Sequence, residues 1–190
     1  MTAFNVIGID TSLKATGLAH SQGWCRTVGY ADAKNPITKL PHPKRLRAMQ
    51  DVLHMILENL GHPHLAVLET PALSRSAGGA HERGWLWWEL YNHLVARGIP
   101  TALMSTNQRM LYATGKGAAS KNAIVDAVAR RWPTWITEGD DNAADAVVLM
   151  AAGYDWLCAR TGQAPLTVMP QANRKAIDNA IWPELHGAGQ

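Results

Sequence analysis

The sequence predicts an α/β fold in which short buried strands alternate with amphipathic helices. Two apolar strands, at about residues 4–9 and 64–69, each end in a carboxylate, and several later segments repeat apolar residues at helical spacing. A chain of 190 residues with 47% apolar content can form one compact domain with a substantial core. We therefore expect a single domain at about 1–160, followed by a C-terminal tail at 161–190.

The first part of the chain predicts an antiparallel meander followed by a helix. Residues such as Trp24 and Tyr30 favour strands near 15–20 and 23–30, after the first strand. After Pro43, apolar residues recur at helical spacing as far as Gly61, which predicts a helix over 44–60.

The second part predicts helices separated by one more strand. We expect helices at 81–97, 123–132 and 142–160, a strand at 101–104 and a short helix at 172–181. The helix at 81–97 carries Trp85 and Trp88 three residues apart, a spacing more typical of a core or a subunit interface than of base stacking. We expect an interface there, with Trp87 on a second packed surface.

The amino-acid composition says more about the cellular location of the protein than about its function. A net charge of +3 and a pI near 9.0 suit a polyanionic partner without requiring one. The chain has only two cysteines, Cys25 and Cys158, and no spacing typical of a zinc site, so we expect no structural zinc and a reducing, cytoplasmic location. No apolar run approaches 18 residues and no secretion signal is evident, so we expect no membrane association.

Three separated groups of carboxylates predict a divalent-metal site. A buried carboxylate is costly to keep ionised unless it meets a cation or another partner. Oxygen ligands without His or Cys favour Mg²⁺, for which Mn²⁺ can substitute, and two such ions can drive phosphodiester hydrolysis. The pattern therefore predicts a nuclease. The candidate ligands and catalytic residues are Asp10, Glu69, Asp141 and Asp145, with Asn142 as a further candidate ligand.

Three of these residues, Asp10, Glu69 and Asp141, also have a structural alternative. Asp10 could cap the turn that follows its strand. Glu69 could form an ion pair with Arg75 or Lys14. Helical spacing places Asp141 on the face of Asp145, yet the residue that opens the last helix, Asp140 or Asp141, could instead be its N-cap.

Three motifs, in this order, resemble the RuvC family of Holliday junction resolvases. They are Gly8-Ile9-Asp10 with Thr16-Gly17, then Glu69, then the run Asn142 to Ala146. The resemblance spans about residues 5–155. It implies a ribonuclease H-like mixed sheet with helices on both faces, and a structure-selective endonuclease that cuts four-way junctions or other branched DNA. It also implies a homodimer with two Mg²⁺ ions per site, held by Asp10, Glu69 and Asp145.

The chain departs from the family pattern in two places. The family has Asp or His three residues before its last Asp, where this chain has Asn142. Asn142 could coordinate through its carbonyl oxygen, or Asp141 could supply the fourth carboxylate. The family's junction-stacking aromatic lies three residues after the Glu, where this chain has Ala72, so Leu73 or His81 could take that role.

A basic loop is the clearest candidate for DNA contact. The segment 115–121 combines glycines, Lys116, Lys121 and the start of a helix, a combination suited to phosphate. Resolvases of the family also have a lysine in a comparable loop, while the alternative is an ordinary basic loop. We also expect Lys14, Arg75 and His81 to contact DNA.

Two other functions fit part of the pattern. An actin-like or sugar-kinase-type ATPase also has an Asp-bearing first turn that faces phosphate, but this chain is short for two such domains and lacks a second phosphate turn. A ribonuclease H-like protein that binds nucleic acid without cutting it is the other alternative. The presence of three separated carboxylates argues against it.

Overall fold

A computed structural model describes residues 4–32, 34–71 and 79–184. Its sheet has five strands in the order β3-β2-β1-β4-β5. The first three strands form the predicted antiparallel meander, and β4 and β5 run parallel to β1. The strands are β1 (Val6–Asp10), β2 (Thr16–His20), β3 (Trp24–Val28), β4 (Leu65–Glu69) and β5 (Thr101–Met104).

Helices follow the strands in the alternation that the sequence predicts. One helix, α3, lies where the sequence predicted none, and a 3₁₀ turn covers Ile37–Lys39. The α-helices of the described residues are α1 (His42–Glu58), α2 (Ala80–Ala96), α3 (Thr106–Thr114), α4 (Lys121–Arg131), α5 (Asp141–Thr161) and α6 (Gln171–Asp178).

The sheet is covered by helices on both faces. Helices α1 and α2 form one core with side chains such as Ile7, Ile9 and Leu68, while α3 to α6 form the other with Val6 and Val67. Neighbouring residues of β1 and β4 thus point alternately into two cores, as expected for strands that are buried on both sides. The predicted α/β mixed sheet is confirmed.

Helix α5 lies unusually close to the sheet. A Cβ atom on Gly8 would overlap the carbonyl oxygen of Ala146, and one on Gly17 would overlap that of Asn142. These two glycines therefore allow the first turns of α5 to approach the backbone of β1 and β2. That approach brings Asp145 to the end of β1.

Helix α2 is buried on one side only. Trp87 belongs to the core and its indole N–H donates to the carbonyl oxygen of Glu69 (2.8 Å), while the side chain of Trp88 is 65% exposed. Cys25 and Cys158 are free thiols. None of the helices in the described ranges has the length and apolarity needed to cross a bilayer.

Candidate active site

Two of the predicted residues end adjacent strands. β1 and β4 are parallel neighbours in which Ile9 pairs with Leu68, so Asp10 and Glu69 follow side by side at the same edge of the sheet. Glu69 is buried and Asp10 is partly buried. The turn after β1 is closed by Thr16, whose Oγ1 accepts from the amide of Ser12 (2.9 Å) and donates to its carbonyl (2.5 Å).

Helix α5 supplies the third carboxylate of the cluster. Asp145 lies in the second turn of α5 and is 8% exposed. Asp140, not Asp141, is the N-cap of the helix, because its Oδ1 accepts from the amides of Asn142 (2.9 Å) and Ala143 (3.3 Å). Asp145 thus comes to the ends of β1 and β4 by way of the close contact between α5 and the sheet.

Arg109 is the residue of this cluster that the sequence analysis missed. Its side chain is buried, its Nε donates to Oε2 of Glu69, and its Nη1 donates to Oδ1 of Asp145. Thr106, one turn earlier on α3, donates from Oγ1 to Oε1 of Glu69 (2.5 Å). The sequence analysis considered an ion pair between Glu69 and Arg75 or Lys14. The structure does show an ion pair at Glu69, but its partner is Arg109.

A local signal for α3 was present in the sequence. Ser105 and Gln108 form a capping box, in which the Ser105 hydroxyl accepts from the Gln108 amide (3.3 Å) and the Gln108 side chain accepts from the Ser105 amide (2.7 Å). A Ser followed three residues later by Gln predicts a helix start, which would have placed Arg109 one turn into a helix.

Burial and neighbouring carboxylates raise the pKa values of Asp10 and Asp145. Burial and the charge of Glu69 raise the pKa of Asp10 to about 8, although Arg109 acts in the opposite direction. Burial also raises the pKa of Asp145 to about 7, again against the effect of Arg109. A further cation nearby would therefore favour the ionised forms of both carboxylates.

The donor chemistry of the cluster fits a hard divalent cation. Within the described ranges, no three Asp, Glu, His or Cys side chains are arranged so that they could hold a metal ion, and Arg109 binds two of the predicted ligands. All the same, Asp10, Glu69 and Asp145 offer only oxygen, which is the donor that Mg²⁺ and Mn²⁺ prefer. The raised pKa values show that added positive charge would stabilise the cluster.

The same arrangement of sheet and helices occurs in two solved structures of Thermus thermophilus RuvC. The structure of RuvC in complex with Holliday junction substrate matches with a TM-score of 0.56 and 19% identity, over 85% of this chain and 98% of that one. The chain has the RuvC fold. A second RuvC structure matches with a TM-score of 0.53 and 20% identity, with the same coverage. No protein-family model and no curated protein matches the chain.

The predicted DNA-contacting residues that the structure describes are all exposed. Lys14 is exposed in the turn between β1 and β2, and His81 is exposed in the first turn of α2. Lys116 is exposed after α3, and Lys121 opens α4 and donates to Oδ2 of Asp141. Arg75, like Ala72 and Leu73, lies outside the described residues.

The close approach of α5 gives a first prediction. In Gly17→Ala, the added methyl would overlap the carbonyl of Asn142 and push α5 away from β2. We expect the free energy of unfolding to fall by about 1–3 kcal/mol, and any catalysis at the cluster to fall about 100-fold because Asp145 moves. Denaturant unfolding and an activity assay measure the two effects.

Gly84→Ala is the matched control, because Gly84 lies within α2 and no atom lies within 4 Å of the added methyl. There the substitution should raise the melting temperature, since Ala is the better helix former. Full stability of Gly17→Ala would mean that α5 does not need this glycine.

Proposed function

We propose that this protein is a structure-selective endonuclease that cuts Holliday junctions or other branched DNA by metal-dependent phosphodiester hydrolysis. The observation that carries the proposal is the meeting of Asp10, Glu69 and Asp145 at one edge of the sheet. The RuvC fold supports it, and one of the RuvC structures with this fold holds a Holliday junction. Residues at about 1–160 would form the nuclease domain.

Asp10, Glu69 and Asp145 would hold two Mg²⁺ ions, with Mn²⁺ as a substitute. Bound ions of this kind activate a water molecule and stabilise the leaving oxygen of the phosphodiester. Thr106 orients the Glu69 carboxylate by its hydrogen bond, and Arg109 offsets the negative charge of the cluster. Both residues thereby keep the carboxylates together before a metal binds.

Asp141 is our choice for the fourth ligand. Its charge contributes to the raised pKa values of both Asp10 and Asp145, so it lies within electrostatic reach of the cluster. Asn142, the other candidate, donates from Nδ2 to the N-cap Asp140 (3.2 Å) and brings no charge. A carboxylate at Asp141 would add the negative charge that two divalent ions need.

The exposed face of α2 supports a homodimer. The side chain of Trp88 is 65% exposed and Val95, seven residues later on the same face, is 58% exposed. Trp88 packs edge-on against Trp87 and Tyr91, which hold its ring in place. Two copies joined here would place two sites on a symmetric junction.

The two free cysteines fit the reducing, cytoplasmic setting expected from the sequence.

The basic loop gives the second prediction. Lys116→Ala combined with Lys121→Ala should weaken junction binding and lower the salt slope of log K by up to about two, because each lysine neutralises one phosphate. Binding titrations at several salt concentrations measure this slope. Arg97→Ala, an exposed charge after α2 at the other end of the sheet, is the control. An unchanged slope in the double variant would mean that neither lysine contacts a phosphate.

A cleavage assay tests the proposed function directly. A four-way junction and a linear duplex of the same arm sequence are incubated with the protein, with Mg²⁺ or with EDTA. We expect paired nicks in the junction only, with Mg²⁺ only, and two chains per junction by sedimentation. Tight binding without cleavage would favour the non-cleaving alternative, and ATP hydrolysis would favour the kinase-like one.

A further inference from the structure

Helix α6 runs antiparallel to α3 and contacts both of its ends. Near the C-terminal end of α3, Nδ2 of the buried Asn173 donates to the carbonyl oxygen of Tyr112 (2.8 Å). Near the N-terminal end, Nε2 of Gln108 donates to the carbonyl oxygen of Asn179, which ends α6 (2.5 Å). The C-terminal segment therefore supplies hydrogen bonds at both ends of α3.

These bonds matter because α3 is short. A helix of nine residues is marginal by itself, and the carbonyls of its last turn lack partners within the helix. The carbonyl of Tyr112 is one of that last turn, so Asn173 satisfies it from outside. Gln108 serves the capping box of α3 and the contact with α6 at the same time.

The segment that contains α6 is itself anchored to the core. Ile181 exchanges two backbone hydrogen bonds with Leu103 of β5 (2.8 and 2.9 Å), just before the cap of α3. The ring of Trp182 stacks on that of Trp156 of α5, with centroids 4.6 Å apart. Residues Gln171 to Trp182 thus tie α3 to the edge strand and to α5.

Helix α3 carries Thr106 and Arg109, the two residues that hold Glu69 and Asp145. We propose that the segment Gln171 to Trp182 is a positioning element of the active site, which sets α3 so that these two side chains reach the carboxylates. Asn173 is its principal positioning residue. The sequence resemblance ends at about residue 155, so it assigns nothing to this segment. The kinetic part of the proposal rests on the proposed nuclease function.

Asn173→Ala tests the proposal in the full-length protein, with Asn179→Ala as the matched control. Both variants lose an Asn side chain from the same segment. Of these two asparagines, Asn173 contacts α3 through its side chain, whereas Asn179 does so through its backbone carbonyl, which the substitution keeps. The side chain of Asn179 donates only within α6, to the carbonyl of Lys175 (3.0 Å).

Two measurements are made on each variant. In hydrogen exchange without metal or DNA, Asn173→Ala should exchange faster than the wild type in α3, with α1 and α2 unchanged. In junction cleavage, its kcat should fall about 10- to 100-fold, a larger factor than any rise in KM, because the carboxylates move. Asn179→Ala should match the wild type in both.

A double variant separates positioning from general stability. Because the proposed positioning includes the contact between Thr106 and Glu69, the loss of kcat caused by Asn173→Ala should be smaller in a Thr106→Val background. Equal losses in both backgrounds would overturn the proposal, as would unchanged exchange in α3. Faster exchange in every helix alike would also overturn it.

The exchange measurement needs no catalysis, so it remains decisive if the wild type does not cut DNA. In that case the proposed function fails, and the exchange in α3 still tells whether the segment holds the helix. If Asn173→Ala does not fold, Asn173→Leu removes the donor and keeps the side-chain volume. If that variant also fails to fold, the segment is needed for folding rather than for positioning, and the proposal is wrong.

Discussion

Asp10→Asn is expected to abolish DNA cleavage and, at alkaline pH, to raise the melting temperature of the metal-free protein. The loss of one negative ligand should lower the cleavage rate by at least about a thousandfold, which corresponds to about 4 kcal/mol of activation free energy. Junction binding should remain, because the basic residues are unchanged. Cleavage and gel-shift assays, run with Mg²⁺, separate the two effects. Glu69→Gln should behave in the same way in the two assays.

The stability effect of Asp10→Asn follows from the pKa of Asp10. That pKa is raised from 3.8 to about 8 in the folded protein. The folded state therefore holds this proton more tightly than the unfolded state, and the wild type loses stability as the pH rises through that window. Asn cannot ionise, so the melting temperature of the variant should exceed that of the wild type by an amount that grows from pH 5 to pH 8.

Asp51→Asn provides the control, because Asp51 is exposed on α1. It should change neither cleavage nor the dependence of melting temperature on pH. Asp10 would be misassigned as a ligand if the folded Asp10→Asn variant cut junctions at the wild-type rate. A melting difference that stayed constant with pH would mean that Asp10 is not held among other carboxylates.

The sequence predicts the parts of this site that depend on chain order and local pattern. Asp10 and Glu69 could be found because each ends a short apolar run. Asp145 could be found because it follows the start of the last helix closely, and helical spacing placed it on the same face as Asp141. Gly17 was quoted only as part of a motif, and the structure gives its physical role, which is to let α5 approach the sheet.

The role of Arg109 depends on contacts across the fold. It lies 40 residues from Glu69 and 36 from Asp145, and no periodicity links an arginine on one helix with carboxylates on a strand and on another helix. For the same reason, the sequence could not show that α6 packs along α3. The capping box at Ser105 would have revealed the helix, but not what Arg109 contacts.

Arg109→Met is expected to destabilise the metal-free protein strongly and to make its stability depend on Mg²⁺. The buried guanidinium binds both Glu69 and Asp145, and removal of one partner of a buried ion pair costs about 3–5 kcal/mol. The loss should be largest near pH 8 and should shrink in acid, because the pKa of Asp145 is about 7 and that of Asp10 about 8, so both become neutral as the pH falls.

Mg²⁺ should raise the melting temperature of Arg109→Met more than that of the wild type, because the ion then supplies positive charge that the guanidinium no longer provides. Thermal melts with and without Mg²⁺, at pH 5 and pH 8, measure this. Arg130→Met is the control: Arg130 pairs with Asp126 on the surface of α4, where such a pair contributes about 0–1 kcal/mol. A smaller Mg²⁺ effect in Arg109→Met than in the wild type would contradict this expectation and would mean that the ion does not replace the charge of the guanidinium.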